Sequence, residues 1–541
     1  MSFAKLPLEL YEAIIFHVPS RDLQYTVLSI SRALSFFPVP LRDLFRCIRI
    51  TRPEQAILLY RRLRLRNRPT LRANLDGLEE ATQDKAASWI REVFIESWSV
   101  DADVVLNLIK LIPRLNLLDL WIGPNNFTPE HLEELFEKPI PGLIYLSLRF
   151  RPYVQKANYY QFLKACFSGA YFDSTLIAIS RWPPSDLATI SIVQDPVPAE
   201  KQSRPAFAQP IVFFRLQPSV STLIHSESLS SSLTSVRLRV PLRPVASALC
   251  LSASVSLAPD NPPLNNPELE FIDLSTSAVL EQEIDTFSVR FKTLKHLILD
   301  GCGLSAMREG EWSAIGKRCA LAGVQRARER EKTLKTWLET WLTTASVGND
   351  DVLAGAAADL SIHARRPRRG RRGLATATIS LRSSSPDAAS PSRPTFSKRR
   401  FEIPKIRILP SLPTLTTLSM TVSSIKPDMY PVLITEFEAG WAEGVAQLAV
   451  TRARLRASAS NGVRVVRFMK GSESNSQDGG REGFEGLEDI NKDDQAAFDM
   501  PVETSDGRDI YQAPVLCLAG DAEVGHRKGC GHAVASRIWV G

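Results

Sequence analysis

One spacing recurs from Ile90 to Phe468: an apolar residue, two of any kind, a second apolar residue, one of any kind, then a third. It is written as Ile90/Val93/Ile95, Leu115/Leu118/Leu120, Leu143/Leu146/Leu148, Leu233/Val236/Leu238, Leu269/Ile272/Leu274, Leu294/Leu297/Leu299, Leu415/Leu418/Met420 and Val463/Val466/Phe468. Alternate residues of a strand share a face, so the last two apolar positions of each copy point into one core. Several copies open on Pro-x-Leu, at Pro113, Pro141, Pro267 and Pro413. Proline is tolerated at a strand's first residue, where no ladder donor is required. Between early copies, Val104 to Ile112 is apolar at helical spacing. Thr128-Pro129-Glu130 supplies a cap, a first-turn proline and a first-turn acid for a helix through Phe136. Strand, helix, strand is the unit, and it predicts an α/β chain.

The spacing resembles the strand of a leucine-rich repeat, most fully at Leu294 to Leu304 (LKHLILDGCGL). There Cys302 and Leu304 fall where that repeat has a buried Asn or Cys and a following apolar residue. Elsewhere the Asn/Cys position is lost, the spacing drifts from about 25 to above 30 residues, and inserts such as Asp195 to Gln209 intervene. The resemblance therefore implies an irregular solenoid. A doubly wound parallel sheet also alternates strands and helices, but it lacks this leucine spacing. In a solenoid the residues between the buried leucines face the open side of the sheet, where partners bind. Here they are Glu92, Phe94, Asp119, Trp121, Tyr145, Arg149, Phe271, Asp273, His296 and Asp300. Aromatics beside charges make Trp121, Tyr145, Arg149, Phe271 and His296 the expected target contacts.

The N-terminal residues follow another rule. In LPLELYEAIIFHVPSRDLQYTVLSI (Leu6 to Ile30), Leu10, Ile14, Ile15 and Val18 fall on one helical stripe, and Pro7 suits a first turn. Pro19 stops that helix, Ser20 can cap a second, and Leu23, Val27, Leu28 and Ile30 give the second its own apolar face. A third cluster, Phe36, Phe37, Leu41, Leu44 and Phe45, follows across Pro38 and Pro40. Three short helices over residues 1–50 bury little area, and so small a segment needs a partner. The segment resembles the F-box. Leu6-Pro7-Leu8-Glu9-Leu10 matches the opening L-P-x-E-L/I, Ser20-Arg21-Asp22-Leu23 matches the turn before the second helix, and Ser31-Arg32 sits at the family's short polar end. The family's closing tryptophan is replaced, with Phe36 or Phe37 the nearest substitutes. The resemblance implies docking on the Skp adaptor of an SCF ubiquitin ligase through Leu6, Pro7, Leu10, Ile14, Ile15 and Leu23.

A chain of 541 residues exceeds one ordinary core. The expected organisation is an F-box-like segment over 1–50, a repeat array over 51–312, one long amphipathic helix over 313–346 and a disordered basic Ser/Pro/Arg-rich insertion over 347–402. Final repeat strands follow over 403–470, and an acidic, largely disordered tail over 471–541. The helix rests on Leu321, Val324, Leu334, Trp337, Leu338, Trp341 and Leu342. The net charge of +7 is local, gathered at Arg365 to Arg372 and Lys398 to Arg400 and opposed by acids between Glu473 and Asp509. The Arg365 to Arg372 cluster resembles a nuclear import signal, and Ser385-Pro386 and Ser390-Pro391 resemble proline-directed phosphorylation sites. No aromatics interleave with those arginines to stack bases, so nucleic acid is not the expected partner.

No secretory signal is read at the N-terminus, no apolar run is long enough to span a bilayer, and seven scattered cysteines form no paired framework. The expected compartment is cytosol, nucleus or both. Phosphate-cradling, zincin and nucleophile-elbow motifs are all absent, so no catalytic role and no cofactor are expected. Cys517, His526, Cys530 and His532 suit zinc by type, but their spacing follows no recognised finger and no metal is assigned. The expected function is target recognition for an SCF-type ligase, with Skp adaptor and cullin on one side and an unknown protein on the other. The alternative is a leucine-rich-repeat scaffold with no ligase role.

Overall fold

The computed structural model describes residues 6–34, 41–66, 86–123, 125–151, 171–196, 212–250, 267–302, 310–345, 405–422, 425–469, 484, 486–490, 494–501, 507, 509–520 and 525–539. The 347–402 segment with its basic clusters and Ser-Pro pairs, most of the Asp195 to Gln209 insert, and Phe36, Phe37 and Leu304 lie outside them. Strands are β1 (Cys47–Ile50), β2 (Glu92–Ile95), β3 (Leu117–Ile122), β4 (Tyr145–Phe150), β5 (Thr189–Gln194), β6 (Ser235–Arg239), β7 (Phe271–Asp273), β8 (His296–Ile298), β9 (Ile406–Leu409), β10 (Thr417–Ser419), β11 (Arg464–Phe468), β12 (Leu487–Asp489) and β13 (Val515–Cys517). The chain divides into two units.

The first unit is Met1–Trp312, Thr414–Phe437 and Pro514–Gly541. Its ten-stranded sheet runs β1 to β8, then β10 and β13, every neighbour parallel. The order never reverses, so there is no switch point of the doubly wound kind. The aliphatic spacing becomes a ladder: Ile48, Val93, Leu118, Leu146, Ile190, Val236, Ile272, Leu297, Leu418 and Leu516 stand in register across all ten strands, all buried. Helices Pro53–Arg66, Ala102–Lys110, Pro129–Phe136, Asp173–Ser180, Leu216–Ile224, Val245–Cys250 and Glu281–Arg290 follow the strands and pack side by side in that sequence. Asp101 caps the second of these by accepting from the Val104 N–H, and Thr128 with His131 closes a capping box on the third.

Polar side chains stitch successive strands where they end. Cys302 Sγ donates to the Leu274 carbonyl at 3.1 Å. Ser277 Oγ donates to the Leu238 carbonyl at 2.9 Å, three residues past Leu274 just as Cys302 is three past Leu299. Asn126 donates to the Ser97 and Trp121 carbonyls and accepts from the Gly123 and Phe127 N–H groups. The position expected to be lost outside the Leu294 copy is thus filled by other residue types that bridge in the same way. Three further strands carry the spacing unnoticed: Phe45/Ile48/Ile50 at β1, Leu187/Ile190/Ile192 at β5 and Ala513/Leu516/Leu518 at β13.

The N-terminal segment forms helices Leu8–Phe16, Ser20–Ala33 and Leu41–Arg46, with Pro7 and Pro19 at the caps of the first two. Tyr11, Ile15 and Val27 make its core, with Leu6, Leu23, Ile30, Leu34 and Leu44 packed around them.

The second unit is Ser313–Pro413 and Glu438–Ala513. Its sheet places β11 between β9, parallel, and β12, antiparallel. Ala327, Leu334, Leu338, Ile408, Val466 and Leu487 form one core, edged by Trp337 and Phe484. The Val463/Val466/Phe468 copy therefore belongs here and not to the long sheet, a correction to the array's expected end. Val466 is covered by Ala327, Leu334 and Leu338, three residues between 322 and 345. The single long helix expected over 313–346 is two, Glu311–Ala320 and Ala322–Ala345, broken at Leu321, whose N–H is shared between the Lys317 and Arg318 carbonyls. Gly440 and Gly444 lie one turn apart on the Tyr430–Ser460 helix. A Cβ on Gly440 would sit 1.9 Å from the Ser313 carbonyl oxygen, so that helix can lie against Ser313 only where a side chain is missing. Buried Arg452 donates to the carbonyls of Pro410, Ala497, Phe498 and Asp499.

The 471–541 tail is also corrected. Within it Val515–Cys517 is the tenth strand of the long sheet, and Gly531–Ile538 is a helix. The run Ala513 to Ala519 is apolar and Ala513/Leu516/Leu518 carries the repeat spacing, but it stands alone beyond the acidic stretch and reads as part of the tail.

Candidate functional site

Two surfaces of the first unit carry the residues singled out by the sequence. On the N-terminal hairpin, Leu10 and Ile14 lie one turn apart and are 47% and 40% exposed, and Phe16, Tyr25 and Leu28 are exposed as well. Pro7 is exposed as well, while Leu6 and Leu23 are half-buried. Ile15 is instead in the hairpin's core and cannot be a surface anchor. Its neighbour on the helix, Ile14, takes the outward position, because one residue is about 100° of turn.

On the sheet, the face opposite the aliphatic ladder carries the other set. Trp121 and Arg149 are partly open, the Arg149 guanidinium lying 4.9 Å over the Trp121 ring and donating to Asp195 at 2.8 Å. Trp98, which the sequence reading did not single out, stacks on Trp121 at 5.0 Å, and Arg151 lies 5.7 Å over Trp98. The strand spacing does not mark it: Trp98 lies three residues past Ile95, whereas Trp121 lies one past Leu120, the register partner of Ile95. Tyr145 and Phe271, by contrast, are buried beneath Trp539, whose ring lies 6.5 Å and 5.5 Å from theirs. His296 is half-buried beside Phe271 and within 3.0 Å of Thr417 Oγ1. Of the five expected target contacts, Tyr145 and Phe271 are therefore closed off: the Gly531–Ile538 helix lies across β8 and β10, where a Cβ on Gly531 would touch Ser419 Oγ, Thr417 Oγ1 and Ile298.

Beside that helix four donors converge. Cys517 ends β13, Cys530 caps the helix, His532 is in its first turn and His526 precedes them both. Their ligand atoms all lie within 4.8 Å of one another. His526 Nδ1 is 3.6 Å from Cys517 Sγ and 3.9 Å from Cys530 Sγ, and His532 Nδ1 is 3.8 Å from Cys530 Sγ. His532 Nε2 bonds the Asp300 carboxylate at 2.6 Å. The sequence offers these four residue types in one short stretch without a recognised finger spacing, and Asp300 joins them from a distant part of the chain. Burial raises the Cys517 thiol, but bonds from His532, the Arg527 backbone and His526 outweigh it and bring it down to about 6. Burial pushes Cys47 and Cys250 the other way, up to about 12.

Asp119 stands in register between Phe94 and Ser147, 5% exposed. Burial raises its carboxyl to about 6, partly opposed by a hydrogen bond from Ser147. An unfolded aspartate titrates near 3.9, so folding takes up a proton between about pH 4 and 6 and stability falls as pH rises through that window. Asp119→Asn lacks the deficit. At pH 8 it is expected to be about 1–3 kcal/mol more stable than the parent, with the gap closing at pH 4; urea titrations at both values check this.

The chain matches none of the known protein families and none of the curated proteins with which it was compared. Among the described residues no helix is long and apolar enough to cross a membrane.

Proposed function

We propose that the chain is the target-binding subunit of an SCF-type ubiquitin ligase, non-enzymatic itself, acting in cytosol or nucleus. The observation that carries the reading is the exposure of Leu10 and Ile14, one turn apart on a helix whose Tyr11 and Ile15 are already packed in the hairpin's core. Exposed apolar side chains on one stripe mark an interaction site, and helix-on-helix docking needs anchors one turn apart. The sequence around them is the F-box-like Leu6-Pro7-Leu8-Glu9-Leu10. A Skp adaptor, and through it a cullin, is the partner for that face.

The leucine-rich-repeat reading of the array is supported by the unreversed strand order and by the bridging bonds of Asn126, Ser277 and Cys302. Target capture falls to the Trp98, Trp121, Arg149 and Arg151 cluster, where rings and guanidinium groups offer the chemistry of a binding hot spot.

Calorimetric titration of the full chain with a Skp-type adaptor is expected to give a 1:1 complex with negative heat-capacity change from apolar burial. Absence of binding removes the ligase role and leaves a leucine-rich-repeat scaffold, for which the sheet alone would suffice.

A further inference from the structure

We propose that Cys517, His526, Cys530 and His532 bind one structural zinc ion that fastens the C-terminal helix to the last strand of the ten-stranded sheet. The inference stands on this cluster alone and is independent of the ligase reading.

Zinc holds thiolate at about 2.3 Å and imidazole at about 2.0–2.1 Å, so sulfur and nitrogen on one tetrahedral edge are about 3.6 Å apart. Three of the four sulfur–nitrogen separations are 3.6, 3.9 and 3.8 Å. All four ligand atoms lie within 4.8 Å of one another, so shifts of about 1 Å would seat them at zinc distances. Both histidines present Nδ1 to the sulfurs, which one shared ion explains.

The surroundings fit as well. His532 turns its other nitrogen to Asp300, so the carboxylate accepts the Nε2 proton and leaves Nδ1 free for the metal, the outer-shell pairing usual for a ligating histidine. Three of the donors are buried and His526 is exposed, which gives the ion an entry side. Gly529, at φ +76°, takes a left-handed turn that brings Cys530 back beneath His526. Two thiolates balance the charge of the ion, so an almost closed site carries no net charge from the ligand set. On binding, two S–H bonds break, two Zn–S bonds form, and the protons leave to solvent. Four protein donors fill the tetrahedron, which makes the site structural rather than catalytic. Its mechanical effect is to hold Trp539 over Tyr145 and Phe271.

The test uses the full chain purified under reducing conditions. Elemental analysis by mass spectrometry is expected to find one zinc per chain. After chelation, cobalt(II) alone should restore intense visible bands of tetrahedral cobalt and a thiolate charge-transfer band. His526→Ala removes an exposed ligand without disturbing the core and should weaken cobalt at least about tenfold. Asp300→Asn keeps every ligand and should weaken it by about 10–100-fold with the tetrahedral bands retained. Cys517→Ser should lose the charge-transfer intensity of one thiolate. If this variant misfolds, the His526→Ala and Asp300→Asn affinities decide. The proposal is overturned if reduced, folded parent protein gives no tetrahedral cobalt bands, if His526→Ala binds cobalt as tightly as the parent, or if peptide mapping of metal-replete protein finds Cys517 and Cys530 joined by a disulfide.

Discussion

Asp273→Ala is expected to remove about 3–5 kcal/mol from the unit that holds the ten-stranded sheet. Asp273 is fully buried on β7. Its Oδ2 accepts from Arg237 at 3.1 Å and Arg239 at 2.8 Å, and its Oδ1 from the Ser275 backbone and hydroxyl at 3.0 and 2.7 Å. Truncation takes the carboxylate away from two largely buried guanidinium groups and from both Ser275 donors. Burial alone would raise the Asp273 carboxyl, yet Arg239 and Arg237 outweigh it and hold it below the usual carboxylate range. Its stabilising contribution is therefore complete at neutral pH and is lost only as pH falls below about 3.9, the unfolded value, through the folded one. Urea unfolding followed by circular dichroism at pH 7 should show the transition moved to lower denaturant in Asp273→Ala, with Arg239→Ala milder because Arg237 still pairs. Equal midpoints for parent and Asp273→Ala would mean that the ion cluster contributes nothing net.

Leu10→Glu with Ile14→Glu is expected to abolish adaptor binding, a loss of at least about 100-fold, because two charges in an apolar interface cost several kcal/mol and each 1.4 kcal/mol is tenfold. Both side chains are largely open in the free chain, so the hairpin itself should stay within about 0.5 kcal/mol of the parent. Ile15→Glu is the contrasting change: it puts charge in the hairpin's core and should unfold the segment. Trp121→Ala should leave adaptor affinity intact and weaken target capture by about 1–4 kcal/mol. Retained adaptor binding by the doubly charged variant, measured by calorimetry, would sink the ligase reading.

How far the sequence could be read depended on how local each signal was. The spacing at Leu118/Leu120 or Leu297/Leu299 is complete within six residues, and every such copy before Val463 lies on the long sheet. What escaped was set by distance or by chemical substitution. Ser277 and Asn126 do in the structure what Cys302 does, but a serine or a displaced asparagine is not recognisable as a bridge until the carbonyl it reaches is known. Tyr145 and Phe271 alternate correctly along their strands, and nothing local says that a helix from residue 531 onward covers them. The four Cys and His residues stand close along the chain and their types were legible, but not the Asp300 carboxylate that bonds His532 from 232 positions away. On the hairpin, a helical stripe identified the apolar side yet could not separate Ile14, outward, from Ile15, inward.

The sheet's strand order also sets an order of arrival. His296 on β8 and Thr417 on β10 are register partners 121 positions apart, whereas Thr234 at the start of β6 reaches back only 46 positions to Ala188. Loop-closure entropy grows slowly with length, so the long gap adds little to equilibrium stability. Synthesis time is another matter: at about 5–20 residues per second, roughly 6–24 s pass between emergence of β8 and of its neighbour. During that interval β1 to β8 can zip together on the ribosome while β8 offers a row of unpaired N–H and C=O groups to any other strand. A chain ending near residue 312 would keep the aliphatic ladder and be left with that raw edge permanently. Such truncated products are expected to associate with one another, and β10 and β13 act in the complete chain as the strands that blunt the growing end.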